Sequence, residues 1–554
     1  MRWGADMAGR IGTRDIAASE VLAGVSYTED ERALIAEGIE AQILSAAARR
    51  AVRFDNADPP ALRFDPRLGD FRMPDPGPLR FSQVDPGPLP DDPEDIAFAP
   101  LPVLSAWLSR GALTSRALTE IYLTRIEALN PRLFCFATVT PHRALAEADR
   151  ADQLRAAGTD LGPLHGIPYA LKDLFDTEGI ATGWGAEPFR DCIPDRDAAV
   201  VERLRDAGAV LLGKSTLGAL AMGDVWYGGT TRNPWNLNEG SGGSSAGSAS
   251  AVAAGLCGFA IGTETLGSIT NPSERCGATG LRPTFGRVPR RGAMALCPSL
   301  DKIGPICRGV EDTAMVLAAL NGAEPGDRDG IEAPFSYDAG AGVEGLRLGY
   351  LPEAFDDAAG AIELDRATLE AARGLGVTLK EIRLPDLPYA ALMEILSAEA
   401  AAIFEDLTLG DVDDQLTRQD AGAWPNRFRM ARFLSAVDHV QLDRLRYRVM
   451  QAMDAVFRDV DAVIGPFNTG PMLLITNMTG HPCLHLRAGF VQSGTRPRNT
   501  LGAQARMIAP GPPYRVPHGI SLWGRLFDEG TILRLGRALE ARLGVAAQRP
   551  GLPE

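Results

Sequence analysis

A glycine- and serine-rich stretch near the middle of the chain is the most informative part of the sequence. It reads Gly240-Ser241-Gly242-Gly243-Ser244-Ser245-Ala246-Gly247-Ser248 and leads into a helix-forming segment at 246–254, which a buried strand follows at 258–262. A flexible linker would not continue directly into a helix and a strand. A phosphate-binding loop is excluded because no Gly-Lys-Ser or Gly-Lys-Thr follows. The stretch therefore belongs to a packed domain.

The same stretch also matches the pattern Gly-x-Ser-x-Gly, with Ser245 at its centre. In a nucleophile elbow this pattern directly follows a strand. The preceding segment 235–239 has the composition of a loop. We therefore interpret the match as one of pattern only and do not predict a nucleophile elbow at Ser245.

Strands and helices alternate on both sides of this stretch. Buried strands are predicted at 169–172 and 210–213 with a helix at 198–207 between them, and a strand at 462–464 and a closing helix at 529–543 follow near the C-terminus. Strand, helix and strand in succession predict an α/β domain.

The first hundred residues have a different character. Thr28-Glu29-Asp30-Glu31 has the pattern of a capping box, and apolar residues from Leu34 to Ile43 follow at helical spacing. The Asp-Pro pairs between 59 and 102 disfavour helix and predict an extended strap. A further helix is predicted at 114–129, with Asn130-Pro131 as its stop.

Charge and composition exclude several classes of protein. The 554 residues carry 56 basic and 71 acidic side chains, for a net charge of −15. This acidic surplus repels phosphate backbones and disfavours nucleic acid as a partner. Seven cysteines without a CxxC pair and six histidines without zinc spacing predict reduced thiols and no metal site. Without a leader or a long apolar run, the sequence predicts a soluble cytoplasmic protein.

Lysine is rare in this chain. Lys172, Lys214, Lys302 and Lys380 are the only four. A desolvated lysine can lose its proton, whereas arginine effectively cannot. Lys172 ends the apolar run 166–171, so it is a candidate base at a strand end. A structural lysine paired with Asp173 or another acid is the competing interpretation.

The sequence resembles the amidase signature family at several motifs in the same order. The matching segments are Gly166-Ile167-Pro168 with Lys172-Asp173, Gly242 to Ser248, Gly262 to Ile269, Gly280 to Val288, Asp301 to Pro305, and Thr476 to Pro482. The resemblance covers residues from about 102 to 543. It implies a mixed central sheet covered by helices, with a catalytic domain at 101–547 and a helical and extended N-terminal extension at 1–100. We expect a helical insertion at about 384–448 to shape the substrate pocket.

The resemblance also implies a function and its residues. Ser268 is then the nucleophile, Ser244 the bridging serine and Lys172 the general base, with a cis peptide at Gly243-Ser244. The implied activity is that of an amidase that hydrolyses a C–N bond, or an ester or carbamate bond, through an acyl-enzyme, with no cofactor. A serine hydroxyl needs such an adjacent base because it is a poor nucleophile at neutral pH.

Backbone N–H groups of Thr265, Leu266, Gly267 and Ser268 are expected to form the oxyanion hole. The segment just before the Gly/Ser stretch is the second expected contributor to the substrate site. There Met222, Gly223 and Trp226 are candidate substrate-binding residues.

Two positions depart from the family pattern. Leu266 stands where the family usually has glycine, and leucine is strained there only if its φ is positive. Thr270-Asn271 stand where an arginine is common, which disfavours a small acidic substrate. We expect an Arg275–Glu264 ion pair to replace the missing one.

Two alternatives to an amidase acting alone remain. One is the transamidase subunit of a tRNA-dependent amidotransferase, which would need partner subunits and glutamine as ammonia donor; the N-terminal extension and the missing arginine argue against it. The other is a non-enzymatic binding protein on the same fold, which the complete set of catalytic residues argues against. For partners we expect a small-molecule substrate, no nucleic acid, no membrane, and a homodimer as the candidate assembly.

Overall fold

The protein is described here by a computed structural model that covers residues 11–356, 361–496 and 509–552. The chain divides into two compact units. The first unit combines the N-terminal residues up to Ala61 with Ala391–Leu445, and the second combines Leu62–Ala390 with the chain from Arg446 onwards. The expectation that 101–547 is the catalytic domain stays a prediction.

Seventeen α-helices lie in the described part of the chain. They are α1 (Thr13–Ala23), α2 (Glu29–Arg50), α3 (Pro93–Ala97), α4 (Leu101–Ser109), α5 (Ser115–Leu133), α6 (Pro141–Ala156), α7 (Ala199–Asp206), α8 (Ala246–Ala253), α9 (Thr270–Cys276), α10 (Val310–Leu320), α11 (Ile362–Arg373), α12 (Met393–Ile403), α13 (Glu405–Leu409), α14 (Trp424–Ala431), α15 (Ala436–Asp459), α16 (Met472–Met478) and α17 (Glu529–Leu543).

The strands of the same residues are β1 (Leu79–Arg80), β2 (Phe136–Val139), β3 (Pro168–Lys172), β4 (Val210–Ser215), β5 (Val225–Trp226), β6 (Gly229–Thr230), β7 (Arg232–Asn233), β8 (Asn236–Gly240), β9 (Phe259–Glu264), β10 (Thr279–Arg282), β11 (Lys302–Cys307), β12 (Tyr337–Asp338), β13 (Arg347–Tyr350), β14 (Thr378–Glu381), β15 (Ala462–Pro466), β16 (Cys483–Thr495) and β17 (Ala509–Gly524).

Eleven of these strands form one mixed sheet in the order β14-β13-β15-β17-β16-β10-β11-β9-β3-β4-β2. Parallel pairs join β9, β3 and β4, whereas β9, β11, β10 and β16 run antiparallel to one another in that order. Every residue of β3 and of β9 is buried. The prediction of an α/β fold with a mixed central sheet is confirmed.

Helix α8 lies directly after the Gly/Ser stretch, and all eight of its residues are buried. Small side chains make this packing feasible. A Cβ on Gly247 would lie 2.2 Å from the Cys135 carbonyl oxygen and 2.4 Å from the Thr216 nitrogen. The chain therefore needs glycine at this position, because the helix contacts the backbone of neighbouring elements.

The first unit is helical. That the insertion at about 384–448 shapes the substrate pocket stays a prediction. The first unit contains α1, α2, the helices from α12 to α14 and the first part of α15. Helix α2 begins at the predicted capping box, in which Thr28 accepts from Glu31 N and Glu31 accepts from Thr28 N. Arg49 and Glu405 join α2 to α13 at 2.6 Å. The stacked rings of Phe404 and Phe428 lie 5.7 Å apart.

Three predicted boundaries are wrong, each for a local reason. The strap predicted to be extended between 59 and 102 contains helix α3. Asp92 caps this helix and Pro93 occupies its first position, where a missing N–H costs nothing. Pro131 lies inside the last turn of α5, which continues to Leu133 and ends at Phe134 with φ 52°. The segment predicted as a loop at 235–239 contributes β8, which pairs with β7 in a short hairpin.

The seven cysteines are free, and all except Cys192 are buried, which agrees with the prediction of reduced, apolar thiols. Among the described residues, none of the helices combines the length and the hydropathy that a membrane span requires.

Candidate active site

Lys172 ends β3 and is completely buried. Its Nζ donates to the hydroxyls of Ser244 at 2.9 Å, Ser245 at 3.1 Å and Thr263 at 2.8 Å. Burial lowers the pKa of Lys172 to about 7, although the negative charges of Asp301 and Glu264 oppose the change. The amine can therefore exchange a proton near neutral pH while it contacts Ser244.

The competing interpretation of Lys172, a pair with Asp173, does not hold in the structure. Asp173 instead lies 3.2 Å from Lys214, which is also buried. Lys302 is the third buried lysine, and its Nζ contacts the Leu300 carbonyl oxygen. Burial alone therefore does not distinguish Lys172, whereas its set of three hydroxyl partners does.

The bridging serine lies in a closely packed loop. The peptide bond between Gly243 and Ser244 is cis, as the resemblance implied. The Gly243 N–H donates to Asn271 Oδ1 at 3.2 Å, and the Gly242 N–H donates to Asp224 Oδ2 at 3.1 Å. A Cβ on Gly243 would lie 1.9 Å from the carbonyl oxygen of Gly223, so only glycine fits there.

Ser245 is the residue that a nucleophile elbow would use. The segment before the stretch is strand β8, which ends at Gly240, so a preceding loop is not a valid reason to reject the elbow. The contacts of Ser245 give a valid reason. Ser245 is fully buried, donates to the Thr263 carbonyl oxygen at 3.1 Å and accepts from Lys172, so its hydroxyl is committed to the protein.

Ser268 lies in the loop between β9 and α9, and it is 8% exposed. Its carbonyl oxygen accepts from the Ser245 N–H at 3.0 Å, which brings the two serine-bearing loops together. Its hydroxyl makes no hydrogen bond to any described residue. The structure thus places Lys172 and Ser244 in direct contact and the Ser268 loop beside them; the catalytic roles stay predictions.

The predicted oxyanion loop has the donors that such a site needs. Within the residues described, the N–H groups of Leu266, Gly267 and Ser268 donate to no protein acceptor. Gly267 has a φ of 80°, whereas Leu266 is not among the non-glycine residues with positive φ. Leucine at 266 is therefore unstrained, and the conformation that requires glycine lies one residue later.

Glu264 is the last residue of β9, directly before the loop that carries Ser268, and its partner was predicted incorrectly. Its buried carboxylate accepts from the N–H groups of Ile269 and Thr270, both at 2.9 Å, and from the Thr270 hydroxyl at 3.1 Å. Arg282 and Asn477 donate to the other oxygen at 2.7 and 2.9 Å. Burial opposes the charge, but the Arg282 guanidinium and these donors lower the pKa of Glu264 to about 2. One carboxylate therefore fixes the turn that follows Ser268.

The predicted Arg275–Glu264 ion pair is wrong. Arg275 Nη1 lies 3.9 Å from Glu239, and the cation that pairs with Glu264 is Arg282. The physical reason is placement rather than burial, because both arginines are buried. Arg282 on β10 lies 2.7 Å from Glu264, whereas the Arg275 side chain lies towards Glu239, so the buried Glu264 charge has its buried partner in Arg282. Arg282 and Asn477 both lie within motifs of the resemblance, so the sequence contained the signal but not the pairing.

The proposed substrate residues lie in the segment that precedes the Gly/Ser stretch. Gly223 contacts Gly243, as described above. Met222 ends a short 3₁₀ turn, and the half-buried ring of Trp226 packs edge to face against Tyr227 with centroids 4.9 Å apart. Their roles in substrate binding stay predictions. In the described part of the chain, no group of three His, Cys, Asp or Glu side chains could hold a metal ion.

Comparisons with known proteins identify the family of the chain. The profile of the Amidase family matches residues 117–533. The A subunit of the glutamyl-tRNA(Gln) amidotransferase of Geobacter metallireducens is 37% identical over 478 residues, which are 80% of this chain and 97% of that protein. The protein of the same name from a Roseiflexus species, strain RS-1, is 36% identical over 475 residues, or 80% and 96% of the two chains.

Solved structures give the same result. The native peptide amidase of Stenotrophomonas maltophilia superposes with a TM-score of 0.69 at 29% identity, covering 82% of this chain and 98% of that one. A bacterial aryl acylamidase of the amidase signature family superposes with a TM-score of 0.70, but at 19% identity it supports the fold alone.

These relatives correct one prediction. The expected partner set, a small-molecule substrate without nucleic acid and at most a homodimer, is wrong, because the relatives carry the name of one subunit of an amidotransferase that acts on a tRNA. The net charge of −15, on which the exclusion of nucleic acid rested, averages over the whole surface. It therefore says little about one face or about other subunits.

Proposed function

The chain belongs to the amidase signature family, whose members act on C–N amide bonds, and on that premise we propose that it cleaves an amide through an acyl-enzyme on Ser268. The contact of 2.9 Å between Lys172 Nζ and Ser244 Oγ carries this proposal. A serine nucleophile needs a base, and Lys172, with a pKa near neutral pH, can act as that base through the hydroxyl of Ser244.

The first step forms the acyl-enzyme. Ser268 Oγ attacks the carbonyl carbon while its proton passes to Ser244 Oγ, and the proton of Ser244 passes to the neutral Lys172 amine. The oxyanion that develops accepts from the free N–H groups of the loop 266–268, an interaction for which about 3–4 kcal/mol is lost per donor removed in comparable sites. The proton then returns through Ser244 to the leaving nitrogen, and the C–N bond breaks.

The second step regenerates the enzyme. Water attacks the acyl carbon, Lys172 and Ser244 remove its proton by the same route, and Ser268 leaves with that proton. The products are a carboxylic acid and ammonia or an amine. Ester or carbamate cleavage would use the same steps and stays a prediction.

For the biological role, we favour the amide-cleaving subunit of a tRNA-dependent amidotransferase with glutamine as the ammonia donor. Support comes from relatives named as the A subunits of glutamyl-tRNA(Gln) amidotransferases, which this chain matches over 97% and 96% of their lengths. In that role a partner subunit first activates the glutamyl carboxylate of the tRNA with a nucleoside triphosphate, and the ammonia released at Ser268 then displaces the phosphate leaving group to form the amide. The role requires partner subunits, and we expect a cytoplasmic location.

The test of this role is purification from the source cells with a tag on the chain at its native level. We expect partner subunits to co-purify, glutamine to be hydrolysed, and glutamyl-tRNA(Gln) to be amidated with glutamine as donor. A Ser268→Ala variant should keep the partners and lose both activities. Absence of any co-purifying subunit, together with no glutamine hydrolysis, would contradict the role.

One observation favours a second candidate, an amidase that acts alone. The Thr270 hydroxyl donates to Glu264 and the Asn271 side chain accepts from Gly243, so both side chains contact protein and neither provides a cation. The α-carboxylate of glutamine would find no positive charge at these positions. Hydrolysis of a neutral peptide amide or anilide by the isolated chain, with no activity on glutamine, would select this candidate.

A further inference from the structure

A cavity of about 490 Å³ lies in the second unit and includes none of the residues assigned to catalysis. Its apolar walls come from Pro66, Leu68 and Phe71 of the N-terminal strap, from Met450 and Phe457 of α15, and from Leu526. A volume of this size is typical of small-molecule sites. Because the strap precedes residue 117, the wall that it forms lies outside the segment that matches the family.

The walls are supported by packing from behind. Phe71 packs against the buried cluster of Ile331, Ala333, Leu526 and Phe527, and its ring lies 5.9 Å from that of Phe527. On the α15 side, the ring of Phe457 stacks on His481 with centroids 4.8 Å apart. The cavity is therefore bounded by packed side chains on both sides.

His481 presents a hydrogen-bond acceptor at this cavity. The Thr479 hydroxyl donates its one hydrogen to the Ile475 carbonyl oxygen at 2.9 Å, so it must accept from His481 Nδ1, which lies 2.7 Å away. Nδ1 thus carries the ring proton and Nε2 carries a lone pair. Burial, with the nearby Arg282 charge, lowers the pKa of His481 to about 3 and keeps the ring neutral. Nε2 makes no hydrogen bond to the described residues.

The charged groups at the cavity are paired, with one exception. Arg458 lies 2.8 Å from Asp70 and 2.7 Å from Asp454, and Arg525 lies 2.8 Å from Asp461. Arg72 is exposed at the rim and makes no ion pair among the described residues. The cavity therefore combines apolar walls, a neutral acceptor inside and a cation at its edge.

We propose that this cavity is a binding site for a small aromatic carboxylate that also carries a hydroxyl or N–H donor. The donor binds His481 Nε2, the ring packs against Leu68 and Met450, and the carboxylate approaches Arg72. The donor requirement follows from the tautomer of His481, and the preference for an anion follows from the unpaired guanidinium.

The experiment is calorimetric titration of the full chain with three probes. 4-Hydroxybenzoate has both features, benzoate lacks the donor, and 4-hydroxybenzamide lacks the charge. We expect 4-hydroxybenzoate to bind about 2- to 10-fold more tightly than benzoate, the usual contribution of one hydrogen bond. It should bind about 2- to 5-fold more tightly than the amide, as for an exposed ion pair. Absence of binding at millimolar concentrations, or equal affinity for all three probes, would overturn the proposal.

Variants assign the contacts. His481→Phe keeps a ring on Phe457 and should make the affinities for 4-hydroxybenzoate and benzoate equal. Arg72→Gln should weaken the binding of these two carboxylates and leave that of 4-hydroxybenzamide unchanged. Arg383→Gln, an exposed arginine away from the cavity, is the matched control and should change nothing. Leu68→Trp fills the cavity and should abolish binding even if His481→Phe does not fold. Binding that survives Leu68→Trp would place the probe elsewhere and overturn the proposal.

Discussion

Lys172 Nζ lies 2.9 Å from Ser244 Oγ at the end of a completely buried strand, and among the described residues no other lysine contacts the bridging serine. The other two buried lysines of this part of the chain, Lys214 and Lys302, contact Asp173 and the Leu300 carbonyl oxygen. Two of the three, Lys172 and Lys302, have a pKa lowered to about 7 by burial. The hydroxyl partners, rather than the pKa alone, therefore distinguish the candidate base.

The first prediction concerns pH. A base must be neutral, so kcat/KM should rise with pH through about 7 and fall about tenfold per unit below it as Lys172 gains a proton. Lys172→Ala should lower kcat/KM by about 10²- to 10⁴-fold and remove this acidic limb. Lys302→Met is the matched control, because Lys302 titrates near the same pH. An acidic limb that persists in Lys172→Ala but disappears in Lys302→Met would assign the base to Lys302 instead.

The second prediction tests which arginine, Arg282 or Arg275, forms the ion pair with Glu264. Glu264→Gln leaves the Arg282 charge buried without a partner, so the free energy of unfolding should fall by about 3–5 kcal/mol. Denaturant titration measures this. In double-mutant cycles, Glu264→Gln and Arg282→Met should be coupled, whereas Glu264→Gln and Arg275→Ala should be additive. Strong coupling between Glu264→Gln and Arg275→Ala would contradict the pairing in the structure and support the Arg275–Glu264 ion pair predicted from the sequence.

The third prediction concerns Asn271 as a positioning residue. Its Oδ1 accepts from the Gly243 N–H, next to the bridging serine. Asn271→Ala removes this acceptor and should lower kcat by about 10-fold with a smaller change in KM, as expected for the loss of roughly one hydrogen bond, whereas Asn271→Asp keeps an acceptor and should retain more activity. Steady-state kinetics on the same amide measure both. Equal losses in the two variants would show that the acceptor is not the reason for asparagine here.

The fourth prediction concerns the loop that carries the oxyanion donors. Gly267 has a φ of 80°, and a Cβ there would lie 3.3 Å from Leu473, so Gly267→Ala should destabilise the protein by about 1–2 kcal/mol. Leu266 has an ordinary φ, so Leu266→Gly should not stabilise it and should cost about 0.5–1 kcal/mol of unfolding free energy through added backbone freedom. Thermal unfolding distinguishes these outcomes, and a stabilised Leu266→Gly would contradict the assigned conformation.

Much of the fold could be predicted from the sequence because its signals are local. The strands at 168–172 and 259–264 are apolar runs, and the helix at 246–253 consists of small residues after a glycine-rich loop. Likewise, the contact between Lys172 and Ser244 followed from motifs in a known order. These features depend on residues that are near one another in sequence or that resemble a family.

What could not be predicted depends on the tertiary arrangement. The partner of Glu264 is Arg282 on β10, two strands away across β11, whereas the nearer Arg275 on α9 lies towards Glu239. Pro93 and Pro131 were expected to exclude helix, but Pro93 occupies the first position of α3, where no intrahelical acceptor needs its N–H, and Pro131 lies in the last turn of α5, which ends two residues later. The tautomer of His481 depends on Thr479 and Ile475, which no sequence pattern relates to a cavity.

Whether Ser268 is a nucleophile that Lys172 activates can be decided by the mass of the intact protein after reaction with a fluorophosphonate, followed by mapping of the labelled peptide. Wild type and Lys172→Ala are compared, with Lys214→Met as a control for loss of another buried lysine. We expect a single adduct on Ser268 that forms much more slowly in Lys172→Ala and at an unchanged rate in a folded Lys214→Met. An adduct on another serine, or no adduct on the folded wild-type protein in the presence of its partners, would contradict the proposed mechanism.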